Sequence, residues 1–117
     1  MALASFYFQA SLPARPESLE ALHPLVRQVL TYCGYAAGEA RAISDQIERA
    51  ATVGLSATAE GHVTITFEKD PKDLRISLHA RHLSPTAPGK GLMDAVSVHE
   101  GKSGPTYRYQ RRVPESV

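Results

Sequence analysis

The chain has 117 residues, room for one domain with one hydrophobic core, and its 43% apolar and 21% charged content is ordinary for a globular protein. A formal net charge of +1 with no long basic run leaves no footprint for nucleic acid, and no apolar stretch approaches the roughly 18 residues that would cross a membrane. The single cysteine, Cys33, excludes an intramolecular disulfide and suits a reducing cytoplasm, and the N-terminus lacks the basic and long apolar regions of a secretory signal. These bounds predict one cytoplasmic domain over residues 1–117, with its core between about 5 and 113, bound to neither membrane nor nucleic acid.

Residues 5–12 (SFYFQASL) alternate enough for a strand, closed by Pro13 and Pro16. Tyr7 and Phe8 are neighbours in it, so they face different layers. Pro16-Glu17-Ser18 opens a helix over 17–33 whose apolar face is Leu19, Leu22, Leu25, Val26, Val29 and Leu30. Pro24 either starts its regular part or kinks it, and Gly34 stops it. The stretch EARAISDQIERAATVGLSAT (39–58) follows, with Ala40, Ile43, Ile47, Ala50, Gly54 and Leu55 at spacings of three and four. Glu39, Arg41, Asp45, Glu48, Arg49 and Thr52 fill its other face, so the pattern predicts an amphipathic helix over 39–56. The small residues Ala50, Ala51 and Gly54 let it approach its support closely.

Residues 61–69 (GHVTITFEK) put Val63, Ile65 and Phe67 on one face of a strand. Asp70-Pro71-Lys72-Asp73 turns the chain, and 74–80 (LRISLHA) returns with Leu74, Ile76, Leu78 and Ala80 inward and His79 outward. A loop with two prolines covers 81–88, and 91–96 reads as a short helix. Residues 95–100 and 105–113 read as a last hairpin around Gly101-Lys102-Ser103-Gly104. This order predicts an α+β fold in two layers: a mostly antiparallel sheet of about five strands with both main helices on one face.

The run LPARPESLEALHPLVRQVLTYCGYAAGEARAISDQIERAATVGLSATAEGHVTITF, read with this element order, resembles the anti-sigma-factor serine kinases of the GHKL (histidine-kinase-like) ATPase superfamily. The resemblance spans about Phe6 to Val113 and rests on element order and pattern. It implies a central helix presenting a Glu, which acts on the attacking hydroxyl, and an Asn four residues later, which holds magnesium. Laying the apolar stripes over one another puts Arg49 at the Glu position and Val53 at the Asn position. Arginine is no base at neutral pH and valine no metal ligand. A competing register uses Glu48 and Thr52, also four apart, at the cost of turning Ser44, Asp45 and Gln46 toward the core. In either register the Asn is missing. The family's adenine-binding Asp, and the Gly two residues beyond it, fall on Ala80 and His82. Its glycine-bearing lid falls on Gly89-Lys90-Gly91-Leu92, a turn of the kind that binds anions at a helix start. That turn follows Ala80 by only eight residues, too few for a mobile lid. Ser103-Gly104-Pro105-Thr106 resembles the family's Gly-Thr before its last strand.

Arg49, Val53, Ala80, His82, Gly89 and Gly91 are therefore expected to mark a vestigial nucleotide pocket, with no catalytic residue, no cofactor and the Arg49 guanidinium partly filling the space. His62, His79, His82 and His99 have no ligand-like spacing and predict no metal site. Arg108, Arg111 and Arg112 read as a solvated strand edge balanced by nearby acids, and Cys33 as a packed thiol. The resemblance implies a fold that has lost its nucleotide chemistry and grips a protein partner, such as a sigma factor or its antagonist in a bacterial partner-switching circuit, or a second copy of itself. The first strand, with Tyr7 and Phe8, is the candidate dimer edge. Two alternatives stand beside this one. The first is a divergent ATP- and magnesium-dependent serine kinase with Glu48 as base and 89–92 on the phosphates; the second is a small structural dimerisation domain.

Overall fold

A computed structural model describes residues 5–55 and 61–114. The chain runs β1 (Phe6–Pro13), α1 (Pro16–Leu19), α2 (Leu22–Tyr32), α3 (Ala37–Gly54), β2 (His62–Lys69), β3 (Asp73–Ala80), β4 (Ala95–Gly101) and β5 (Gly104–Arg112). The five strands form one sheet in the order β1-β2-β3-β5-β4, every neighbouring pair antiparallel. The helices cover one face, so the fold is the expected α+β two-layer sandwich. The end of the 39–58 stretch beyond Leu55 lies outside the described residues.

Strand alternation sets the core. Val63, Ile65, Phe67, Leu74, Ile76, Leu78, Ala80, Tyr107 and Tyr109 point toward the helices and are buried. In β1, Phe6, Phe8, Ala10 and Leu12 share that face, since Phe8 lies opposite Phe67 and Leu12 opposite Val63. Phe8 stacks on Phe67 with 6.1 Å between ring centroids, whereas Tyr7 stands on the open face. The two neighbours do address different layers.

The expected helix over 17–33 breaks into α1 and α2 at Glu20 and Ala21. Pro24 has no N–H to give the Glu20 carbonyl, so the regular helix begins just ahead of it, where an absent donor costs nothing. Gly34, at φ +97°, ends α2, and the Tyr35 amide returns to the Leu30 carbonyl at 3.1 Å. In α3 the buried residues are Ala40, Ile43, Ser44, Ile47, Ala51 and Gly54. Ser44 and Ala51 thus join the core, while Ala50 is only half-buried. Ser44 tolerates this because its hydroxyl donates to the Ala40 carbonyl at 2.7 Å.

The β2–β3 turn is tied by Asp70, whose carboxylate accepts from the Asp73 and Lys72 amides at 2.7 and 2.8 Å. Those two bonds, then Arg75, hold its carboxyl below the usual carboxylate range. Two expectations fail on the far side of the sheet. Residues 91–94 form a turn rather than a helix, and β4 starts at Ala95: Gly91 at φ +52° leaves the right-handed helical region. The arginines of β5 do not line an edge either, because β4 pairs outside β5. Arg111 faces the helix layer, paired with Glu39 and 5.7 Å from the Tyr35 ring centroid. Tyr35 in turn donates to the Arg112 carbonyl at 2.8 Å, fastening the α2–α3 link to β5.

A candidate binding groove beside the central helix

Residues spaced three and four apart on α3 (Ala42, Gln46, Arg49, Ala50 and Val53) form a second stripe, flanking the buried one. This stripe is one wall of a groove of about 710 Å³. The opposite wall is the loop over 84–92, and Tyr107 and Tyr109 of β5 form the floor. The loop reaches α3 because the chain leaving β3 bridges Leu83 to Leu55, and the Ser84 amide donates to the Gly54 carbonyl at 2.7 Å.

Gln46 fixes the loop to the helix. Its side-chain amide donates to the Lys90 carbonyl at 2.7 Å, and its oxygen accepts from the Leu92 amide at 2.9 Å. Arg111 adds a hydrogen bond to the Leu92 carbonyl. Gly91 suits this turn at φ +52°, and a Cβ on it, 2.6 Å from the Gln46 oxygen, would push that side chain off its hydrogen bonds. The floor is equally tight. Tyr107 donates to the Ser84 carbonyl at 2.8 Å, and a Cβ on Gly54 would come within 2.7 Å of its hydroxyl.

Of the six positions read as a vestigial pocket, four meet in this groove: Arg49, Val53, Gly89 and Gly91. Arg49 is exposed and lines the groove. Val53 is 78% exposed. Ala80 and His82 do not line it. Ala80 is buried under the β4–β5 turn, where the glycine backbone packs so closely that a Cβ on Gly104 would lie 2.7 Å from the Ala80 carbonyl oxygen. His82 is exposed. Glu48 and Thr52 are also absent from the lining, and the Thr52 hydroxyl donates to the Glu48 carbonyl at 2.9 Å. The 89–92 turn opens no helix, and its Leu92 amide is already satisfied by Gln46.

The remaining polar groups of the groove differ in how they are satisfied. Asp45, on its rim, is paired with His23 of α2 at 2.7 Å. Arg49 has no ion-pair partner among the described residues. Tyr109 is 1% exposed, and its hydroxyl has no hydrogen-bond partner among them. Burial pushes the Tyr109 phenol well above its ordinary range, with nearby Tyr107 adding to the shift.

Elsewhere the histidines stay dispersed. His79 faces away from the helices and its Nδ1 lies 2.9 Å from the Thr106 hydroxyl and 3.0 Å from the Pro105 carbonyl oxygen. Among the described residues no three His, Cys, Asp or Glu side chains cluster as metal ligands, and no helix is long and apolar enough to cross a membrane. Cys33 is buried, and desolvation raises its thiol pKa against the pull of Lys69.

Sequence reasoning missed Gln46, Tyr107 and Tyr109 as groove residues. Gln46 carried a signal, since it stands one turn from Arg49 on the same stripe; the tyrosines carried none, because only strand order puts β5 beneath α3. No protein-family model matches the chain, and a search of curated proteins finds no match.

Proposed function

We propose that this chain is a binding domain of the anti-sigma type it resembles, acting in the cytoplasm by holding a protein partner such as a sigma factor or its antagonist, and doing no phosphoryl transfer. One observation supports it above the others: α3 turns Arg49 and Val53 toward the groove and Glu48 and Thr52 away from it. A cation and an aliphatic side chain offer neither a base for a hydroxyl nor a ligand for magnesium.

The surface offered to the partner is the β1 edge. Among the described residues β1 pairs only with β2; it carries no charged residue and exposes Tyr7 (63%) and Phe8 (41%). Charge and proline are the usual guards of such an edge, and only Pro13 at its end is present. A second copy of the chain fits the same edge by antiparallel pairing, which is self-complementary.

Calorimetry with ATP, with and without magnesium, and affinity capture from the native cell test the two halves of this reading. The expected results are no magnesium-dependent binding at low micromolar ATP and stoichiometric capture of a protein that a charged substitution in β1 releases. Magnesium-dependent ATP binding in the low micromolar range would instead support the kinase alternative, with Glu48 and Thr52 as the working pair.

A further inference from the structure

The groove beside α3 has the dimensions and walls of a small-molecule site. Its volume of about 710 Å³ falls within the roughly 300–1,000 Å³ typical of such sites. Ala50, Val53, Pro88, Leu92, Tyr107 and Tyr109 give it a largely apolar lining. Its walls are held in place: Gln46 and Arg111 fasten the loop, and Tyr107 fastens Ser84. A ligand entering it therefore pays little to order the protein around it.

One polar group of this apolar site is buried without a partner among the described residues, and one exposed cation on its wall has no ion pair among them. The Tyr109 hydroxyl is buried without a partner, a donor whose desolvation nothing compensates. Arg49 is a cation without an ion pair among the described residues, whereas the acid one turn away, Asp45, lies 2.7 Å from the His23 ring nitrogen. An acceptor complements the first and an anion the second. Arg49 is the only Lys or Arg in the lining among the described residues, so one negative charge is matched and a polyphosphate is not.

We propose that this groove binds a small apolar carboxylic acid, with its carboxylate on Arg49, its apolar body between α3 and the 84–92 loop, and an acceptor atom receiving the Tyr109 hydroxyl hydrogen. This goes beyond the protein-binding reading and does not depend on it, since the β1 edge lies apart from the groove residues.

The test is calorimetry on the full chain with three matched probes: 4-(4-acetylphenyl)butyrate, its neutral primary amide, and 4-phenylbutyrate, which lacks the ketone acceptor. On the unsubstituted protein the acetyl acid is expected to bind at least about tenfold more tightly than its amide and several-fold more tightly than 4-phenylbutyrate. Arg49→Gln is expected to bring the acid down to the level of the amide. Tyr109→Phe is expected to bind the two acids equally while melting no lower than the unsubstituted protein, because it removes an unpaired buried hydroxyl and little volume. Equal binding of acid and amide, no binding of any probe at millimolar concentration, or an acetyl preference that survives Tyr109→Phe would each overturn the proposal. Should Tyr109→Phe fail to fold, the acid-to-amide ratio and its loss in Arg49→Gln still decide it.

Discussion

Gly54 and Tyr107 fit closely together beside the groove. The glycine lets the phenol lie against the end of α3, and the phenol then reaches the Ser84 carbonyl. Gly54→Ala improves helix propensity by up to about 1 kcal/mol, but drives a rigid ring from its place and breaks that bond. A net destabilisation of about 1–3 kcal/mol is expected, read from urea unfolding. Tyr109 and Tyr35 contribute most to the alkaline pH dependence, beside smaller parts from Tyr107 and Cys33. Desolvation raises the Tyr109 and Tyr35 phenols well above their ordinary range, although Arg111 partly opposes the shift at Tyr35. Between the unfolded value near ~10 and the higher folded value, the unfolded chain has lost these protons and the folded chain keeps them. Stability from these groups is therefore complete below pH ~10 and falls as the pH rises further. Unfolding midpoints measured at stepwise higher pH should decline, and Tyr109→Phe should flatten the decline.

At the scale of elements, the decisive link is the one from α3 to the 84–92 loop, because it converts a helix face and a loop into a groove. Gln46 gives its side-chain hydrogen bonds to the 89–92 end of that loop, while the Ser84 amide on the Gly54 carbonyl holds the other end to α3. Gln46→Ala is expected to raise amide hydrogen exchange at Leu92 by about tenfold or more, while core amides of β2 and β3 stay protected. Uniformly faster exchange through the sheet would show instead that Gln46 serves the whole fold. The break between α1 and α2 belongs to this scale too. It was half legible, since Pro24 allowed a start or a kink, and the packing of Leu19 and Leu22 on the core selected a break just ahead of it.

For the whole molecule, the sheet is covered on one face and ends on an uncharged strand. Association through β1 is expected to give a dimer by light scattering at high micromolar concentration, and Tyr7→Lys, which adds charge to that edge, should return a monomer with unchanged circular dichroism. A monomer at the same concentration for the unsubstituted chain would count against the edge as a self-interface.

Periodicity carried most of the architecture. Val63-Ile65-Phe67 and Leu74-Ile76-Leu78-Ala80 alternate over enough residues that only a half-buried hairpin satisfies them, and Ile43-Ile47-Gly54 admits only a helix on a sheet. These are local constraints, written in the spacing of side chains along one segment. The 91–96 stretch was misread as helix because its one local cue, a glycine turn before apolar residues, fits either outcome; the positive φ at Gly91 and the pairing of Val96 and Val98 with β5 decided it. The arginines of β5 were misread for the same reason, since nothing in 105–113 says whether another strand lies outside it. The groove was legible only as the stripe Arg49 and Val53, and Tyr109 beneath it not at all. Strand order and the reach of a loop join residues as far apart as Arg49 and Tyr109, and those long-range contacts exist only once the chain has closed its core.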